Sequence, residues 1–173
     1  DRRRLPTRGW RVRGSGTWDT VTDDDWKSEF SRIRYQVATS LFRPVNEQTT
    51  LGLRVQSEGL IQDQEPGPNA LIRVGGSRTL RGYVEEHFLV EHAVWANLAI
   101  LRNLGRGARA YLFGDGGVLR PPASVGTGWI RAVGYGAGLQ TQTRTGMITI
   151  EYGLSKDDSP GQGKIHVRLE AAR

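Results

Sequence analysis

Few residues of this chain are spaced for chemistry. Its three histidines, His87, His92 and His166, do not fall at metal-ligand spacing, and neither a Ser-His-Asp order nor a G-x-S-x-G elbow is present. They read as structural histidines. There is no cysteine, which argues against thiolate zinc and against a disulfide framework. Gly134-x-Gly136-x-Gly138 has the look of a dinucleotide loop, but it lies inside a strand pattern with no helix behind it. Glycines on an inner wall that allow close approach account for it more simply. The run Asp23-Asp24-Asp25 reads as a solvated hairpin loop before it reads as a calcium site. No catalytic residue, cofactor or metal is therefore expected, and the chain is read as a non-enzyme.

The elements that would position any site are strands. Hydrophobic residues alternate with polar ones in segments of about ten residues, separated by turn residues. Trp10, Val12, Gly14, Gly16 and Trp18 oppose Arg11, Arg13, Ser15, Thr17 and Asp19. Ile33, Tyr35, Val37 and Leu41 oppose Arg32, Arg34, Gln36 and Ser40, and Leu51, Leu53 and Val55 oppose Gly52, Arg54 and Gln56. A long excursion, about 61–86, then carries Pro66, Gly67, Pro68, Gly75 and Gly76, a composition typical of a functional loop. Five more strands follow. They run through Val94 to Ile100, Ala108 to Gly116, Val133 to Gln140, Ile148 to Gly153 and Lys164 to Glu170.

Composition agrees with a β protein and excludes some classes. The 173 residues suit one domain, and 23 glycines and seven prolines are spread as punctuation. No apolar run is long enough for a transmembrane helix, but a mean hydropathy of -0.48 is also what a membrane strand with one polar face would show. The net charge is +6, almost all from arginine, since lysine occurs only at Lys27, Lys156 and Lys164. These arginines are scattered and alternate with apolar residues, so a charged inner wall is expected and nucleic acid is excluded as a partner. The chain opens at Asp1 without an apolar leader, as a mature product or an excised piece would.

Gly75-Gly76-Ser77-Arg78-Thr79-Leu80-Arg81-Gly82-Tyr83 resembles the G-G-x-x-[ST]-[VL]-R-G-[FY] loop of the BamA/TamA superfamily, the bacterial surface-antigen barrels. Leu112-Phe113-Gly114-Asp115-Gly116-Gly117 is similar to that family's F-x-D-x-G strand. Gly134 to Leu139 followed by Gly146 to Gly153 resembles its penultimate hairpin. The resemblance implies a loop folded into the barrel lumen, with Arg81 paired to an inward carboxylate, Asp115, and Gly82 permitting the turn. It also implies the C-terminal half of an outer-membrane protein assembly and insertion factor of Gram-negative bacteria. The fourth strand departs from the pattern, with Ala99 and Leu101 where the family places charges, which suits a narrow interior.

The expected fold is thus all-β, an antiparallel transmembrane β-barrel of about eight strands spanning 1–173 as a single domain. The first and last strands are expected to pair, because bare edges in lipid are costly. The loop motif is Gly75, Gly76, Leu80, Arg81, Gly82 and Tyr83; the lumen partners are Asp115, Glu151, Arg11, Arg13, Arg168 and Glu170. Facing lipid are Ile33, Tyr35, Val37, Leu51, Leu53, Leu98, Ile100, Val133, Tyr135, Leu139, Ile148, Ile150, Tyr152, Ile165, Val167 and Leu169. A structural barrel with a filled lumen in the bacterial outer membrane follows, with a lipid bilayer or detergent, lipopolysaccharide and a second copy as partners. The alternatives are a soluble lipocalin-like ligand-binding barrel and a two-copy sixteen-stranded pore.

Overall fold

The computed structural model describes residues 7–23 and 28–171. Alternation does what its period demands. Eight long strands form one antiparallel sheet: β1 (Gly9–Asp23), β2 (Ser28–Pro44), β3 (Thr49–Gln62), β6 (His92–Gly105), β7 (Ala108–Arg120), β8 (Ile130–Gln142), β9 (Gly146–Ser155) and β10 (Lys164–Ala171). Between β3 and β6 a two-stranded ribbon, β4 (Ile72–Val74) and β5 (Phe88–Val90), makes a second small sheet. The excursion expected at about 61–86 therefore runs over 63–91 and carries structure of its own. Tight turns join β6 to β7, where Gly105, Arg106 and Gly107 all adopt positive φ, the backbone that a short hairpin requires.

Cross-strand register places each residue on one of two faces. On the outer face run rows such as Leu51–Ile100–Leu112–Ala137–Tyr152–Ile165 and Leu53–Leu98–Gly114–Tyr135. On the inner face, Asn97, Asp115, Gly134 and Ser155 form one row, and Ala99, Phe113, Gly136 and Gly153 the next. The loop packs on this inner face. Leu80, Val74, Ile72 and Val90 from the loop and ribbon meet Leu60, Ala93, Trp95, Leu119 and Ala132 from the sheet, and this is the main hydrophobic core. A smaller cluster of Leu101, Tyr111 and Phe113, with Ala99 against it, lies further along the same face.

Closure is where the expectation fails. Among the described residues β1 is hydrogen-bonded to β2 alone and β10 to β9 alone, so the sheet ends in two edges and no barrel forms. What stabilises the assembly instead is the loop, which fills the inner face and gives the central strands a core without a closing strand pair. The transmembrane barrel and the lipocalin-like barrel both required that closure, and both are corrected to an open sheet. The readings built upon it are withdrawn with it: a bilayer, detergent or lipopolysaccharide partner, a second copy completing a pore, protein insertion, and an outer-membrane location. No helix among the described residues is long and apolar enough to cross a membrane.

The sixteen residues assigned to lipid do lie together on the outer face. Most are exposed there, and Tyr35, Leu51, Leu53 and Ile148 are half-buried. Their exposure follows from a one-sided core and carries no lipid contact with it. The Asp23-Asp24-Asp25 loop falls largely outside the described residues, and so does Lys27.

Candidate functional site: a buried arginine clamp

The geometry converges on Arg81. Leu80, Arg81 and Gly82 are buried between the loop and the inner face. Arg81 Nε donates to Asp115 Oδ2 at 2.8 Å, Nη2 to Asp115 Oδ1 at 2.6 Å, and the main-chain N to Asp115 Oδ2 at 2.9 Å. Its remaining guanidinium nitrogen, Nη1, reaches Glu151 Oε1 at 3.0 Å. Tyr111 donates to the same Glu151 oxygen at 2.7 Å. The guanidinium carbon stands 3.7 Å from the centroid of the Phe113 ring, a cation–π contact that covers one face of the charge.

Strand periodicity explains why these groups meet. Tyr111, Phe113 and Asp115 alternate on one face of β7, so an aromatic floor and a carboxylate arise from one strand. Glu151 enters from β9 opposite Gly138, where the missing side chain leaves room for the Tyr111 ring. A Cβ at Gly138 would lie 2.5 Å from that ring, and one at Gly136 would lie 2.7 Å from the tip of Phe113. The glycine face of β8 is therefore the socket of the aromatic floor.

Burial lowers the Arg81 pKa first, and the hydrogen bonds and charge of Asp115, then of Glu151, more than reverse this, leaving the group raised. The Tyr111 hydroxyl is pushed well above its ordinary range, by burial first and by the adjacent Glu151 charge next. Two carboxylates, Asp115 and Glu151, share the single guanidinium of Arg81, and Glu151 Oε2 is buried with no hydrogen-bond partner among the described residues.

Secondary contacts hold the loop on either side of the arginine. His166 Nε2 lies 2.9 Å from Arg81 O, which requires Nε2 to carry the proton. Asn97 Nδ2 donates to Thr79 O at 2.6 Å, Arg168 Nη1 to Ser77 O at 2.8 Å, and Arg34 Nη2 to Ala70 O at 2.6 Å. Inside the loop, Gly75 N donates to Thr79 Oγ1 and Ser77 N to Glu85 Oε1, both at 2.8 Å. Gly75 and Gly76 both take positive φ; a Cβ on Gly75 would meet the backbone of Val84 and His87, and one on Gly76 the carboxylate of Glu85. Tyr83 leans out of the loop, its hydroxyl 3.2 Å from Val133 N and 3.3 Å from Val133 O.

Of the other lumen candidates, Arg168 holds Ser77 and makes a charge contact with Glu170 at 3.1 Å, without hydrogen-bond alignment. Arg11 and Arg13 lie exposed on the inner side of β1 and join no ion pair with the described residues. Three groups of the clamp were not singled out from sequence: Tyr111, Asn97 and His166. The signal for His166 was present, since period two puts it on the face of Arg168, and register pairs it with Glu151. His87 and His92 lie apart, His92 beside Tyr35 and His87 against Phe88.

Nothing in this cluster presents a nucleophile to an open cleft, and the described residues hold no group of three or more metal-ligating side chains. The arrangement is a pin: it fixes a loop to a sheet. No family model and no curated protein matches this chain. The BamA/TamA resemblance read from the Gly75–Tyr83 run therefore has no homology behind it, and the open sheet is unlike that family's closed barrel.

Proposed function

We propose that this chain acts as one non-enzymatic assembly module, an eight-stranded sheet pinned from within that accepts an extended segment of a protein partner along an open edge. The observation that carries this reading is β1. It runs 15 residues in unbroken register with β2 and has no partner strand among the described residues on its other side, so a row of backbone donors and acceptors is left for a further strand. Edge strands that avoid such pairing are short, bulged, or guarded by proline or by charged side chains, lysine above all. β1 is long and unbulged and has no proline or lysine; its charges at Arg11, Arg13 and Asp19 share the inner face, which leaves the outer face uncharged. Its outer tryptophans are bare: Trp10 is 77% exposed and Trp18 73%, as are the outer residues of the other edge strand, β10, where Leu169 is also 73% exposed.

The chemistry of the incoming segment follows from the faces of β1. Alternate residues would lie beside Trp10, Val12 and Trp18, and the ones between would face Arg11 and Arg13. An apolar residue alternating with an acidic one fits both rows. The test is amide hydrogen exchange, read residue by residue, with and without a capped nonapeptide of Val alternating with Glu. Slowed exchange at every second amide over about nine consecutive residues within Gly9–Asp23, weakened when Lys replaces Glu in the peptide, is the expected result. Unchanged exchange in β1 at millimolar peptide would sink the reading.

A further inference from the structure

The inner face holds a second group of charged side chains that the clamp does not use. Arg54 on β3 stands in register with Asn97 on β6, and Asn97 holds the carbonyl of Thr79. Two residues back along the loop, Ser77 O is held by Arg168 of β10. The three-residue segment 77–79, with Arg78 at its centre, thus bridges the neighbourhood of Arg54 to Arg168. On a flat sheet five strand spacings, about 24 Å, would separate β3 from β10. The sheet curls enough for three loop residues to reach from Arg168, on Ser77 O, to Asn97, on Thr79 O and in register with Arg54; in keeping with this, the Arg54 guanidinium is lowered by burial first, then by Arg13, Arg168 and Arg78 in turn.

The carboxylates of this face are largely committed elsewhere. Asp115 and Glu151 are held by Arg81, and Glu58 accepts from Gln36 at 2.5 Å. Glu170, half exposed, touches Arg168 alone. Among the described residues, Arg13, Arg54 and Arg78 have no carboxylate partner. Beside them, Gln56 is 4% exposed and its Nε2 donor has no acceptor. It lies on the same face of β3, two residues from Arg54 and in the row that begins at Arg13. Four guanidinium groups and an orphaned amide donor, met among the described residues by the single carboxylate of Glu170 on Arg168, with Glu85 turned to the Ser77 amide, describe a place for an oxyanion.

We propose that Arg13, Arg54, Arg78 and Arg168 form a receptor for an anion bearing two or more charges on phosphate-type oxygens, seated on the inner face against the 77–79 segment. Such a ligand would relieve the repulsion among the arginines and tie β1, β3 and β10 to the loop. The site is independent of edge pairing, so either reading can fail alone.

Isothermal titration calorimetry of the full chain with inorganic tripolyphosphate, pyrophosphate and orthophosphate tests it. Saturable one-to-one binding is expected, strengthening with the number of phosphates and weakening as salt rises. Arg54→Gln and Arg78→Gln should each weaken tripolyphosphate binding about tenfold, on the scale of one charge-assisted hydrogen bond. Arg78 is exposed on the loop, so its replacement tests the site without disturbing the core. Arg144→Gln, in the turn between β8 and β9, should leave affinity unchanged. Absence of saturable heat at millimolar tripolyphosphate overturns the proposal, and so does an equal loss on Arg144→Gln, which would reduce the effect to net charge.

Discussion

Gly153 of β9 lies directly beneath the carbonyl of Arg81: a Cβ built on it would stand 2.1 Å from that oxygen. Gly134 does the same for Gly82, with 2.8 Å to its nitrogen. The loop backbone therefore rests on the sheet backbone, which is why the guanidinium reaches its carboxylates at hydrogen-bond distance. Gly153→Ala should lift the loop and cost about 2 kcal/mol, since backbone cannot yield as a side-chain tip does. Gly114→Ala, on the outer face with nothing within 4 Å, should be close to neutral. Thermal denaturation of the two variants distinguishes them; equal stability would contradict the stacking.

Removing one partner of the clamp leaves a charge in the interior. Asp115 is fully buried and Arg81 nearly so, and Asp115→Asn removes the negative charge while keeping the shape. A loss of about 3 kcal/mol is expected in urea denaturation. Faster amide exchange should be concentrated at Gly75–Tyr83 rather than in β7. A loss spread evenly over the sheet would mean that the pair supports the strands and not the loop.

Alkaline pH should weaken the protein through Tyr111. Its folded pKa lies above the unfolded value of about 10. The folded state thus binds more protons than the unfolded one above that pH, and stability present below it declines as pH rises. Tyr83 is shifted in the same direction, with burial the first cause, so part of the decline belongs to it. Tyr111→Phe should flatten the decline between pH 10 and 11 while lowering stability at neutral pH, where it removes a bond to Glu151. An unaltered pH profile in that variant would remove Tyr111 from the account.

At the acid end, the connection from β9 to β10 should respond. Asp158 is held down to about 2, first by the hydrogen bond from Lys164 and next by that from Ser155 N. Its folded value lies below the unfolded one, so its contribution is present above the ordinary carboxylate range and is lost as pH falls through about 2. The Ser155 amide resonance should titrate with a midpoint near 2. Lys164→Gln should move that midpoint upward; a midpoint indifferent to Lys164 would contradict the assignment.

Much of this architecture was legible in the chain itself. Period-two alternation is a local property, so the eight strands, their faces and the inward side of Asp115, Glu151 and Arg168 could be read from residue types. Strand ends were less legible. β2 and β3 run several residues beyond the alternating cores, because pairing with a long neighbour extends a strand where side-chain pattern has ended. The ribbon of β4 and β5 escaped notice because three-residue strands show no period.

By itself, then, the sequence determined which side chains share a face; the pairing of Arg81 with Asp115 was expected only through the BamA/TamA resemblance, which no family model or curated protein supports. Only the tertiary structure decided that the sheet stays open. Alternation constrains each strand against its neighbours and is silent on whether the first and last strands meet, which depends on accumulated curl and on what fills the interior. It likewise decided that the second carboxylate on Arg81 comes from Glu151 on β9, some seventy residues distant in the chain, while Ala99 packs with the aromatic cluster. Contacts at such separation are set by register across several strands, and no local spacing encodes them.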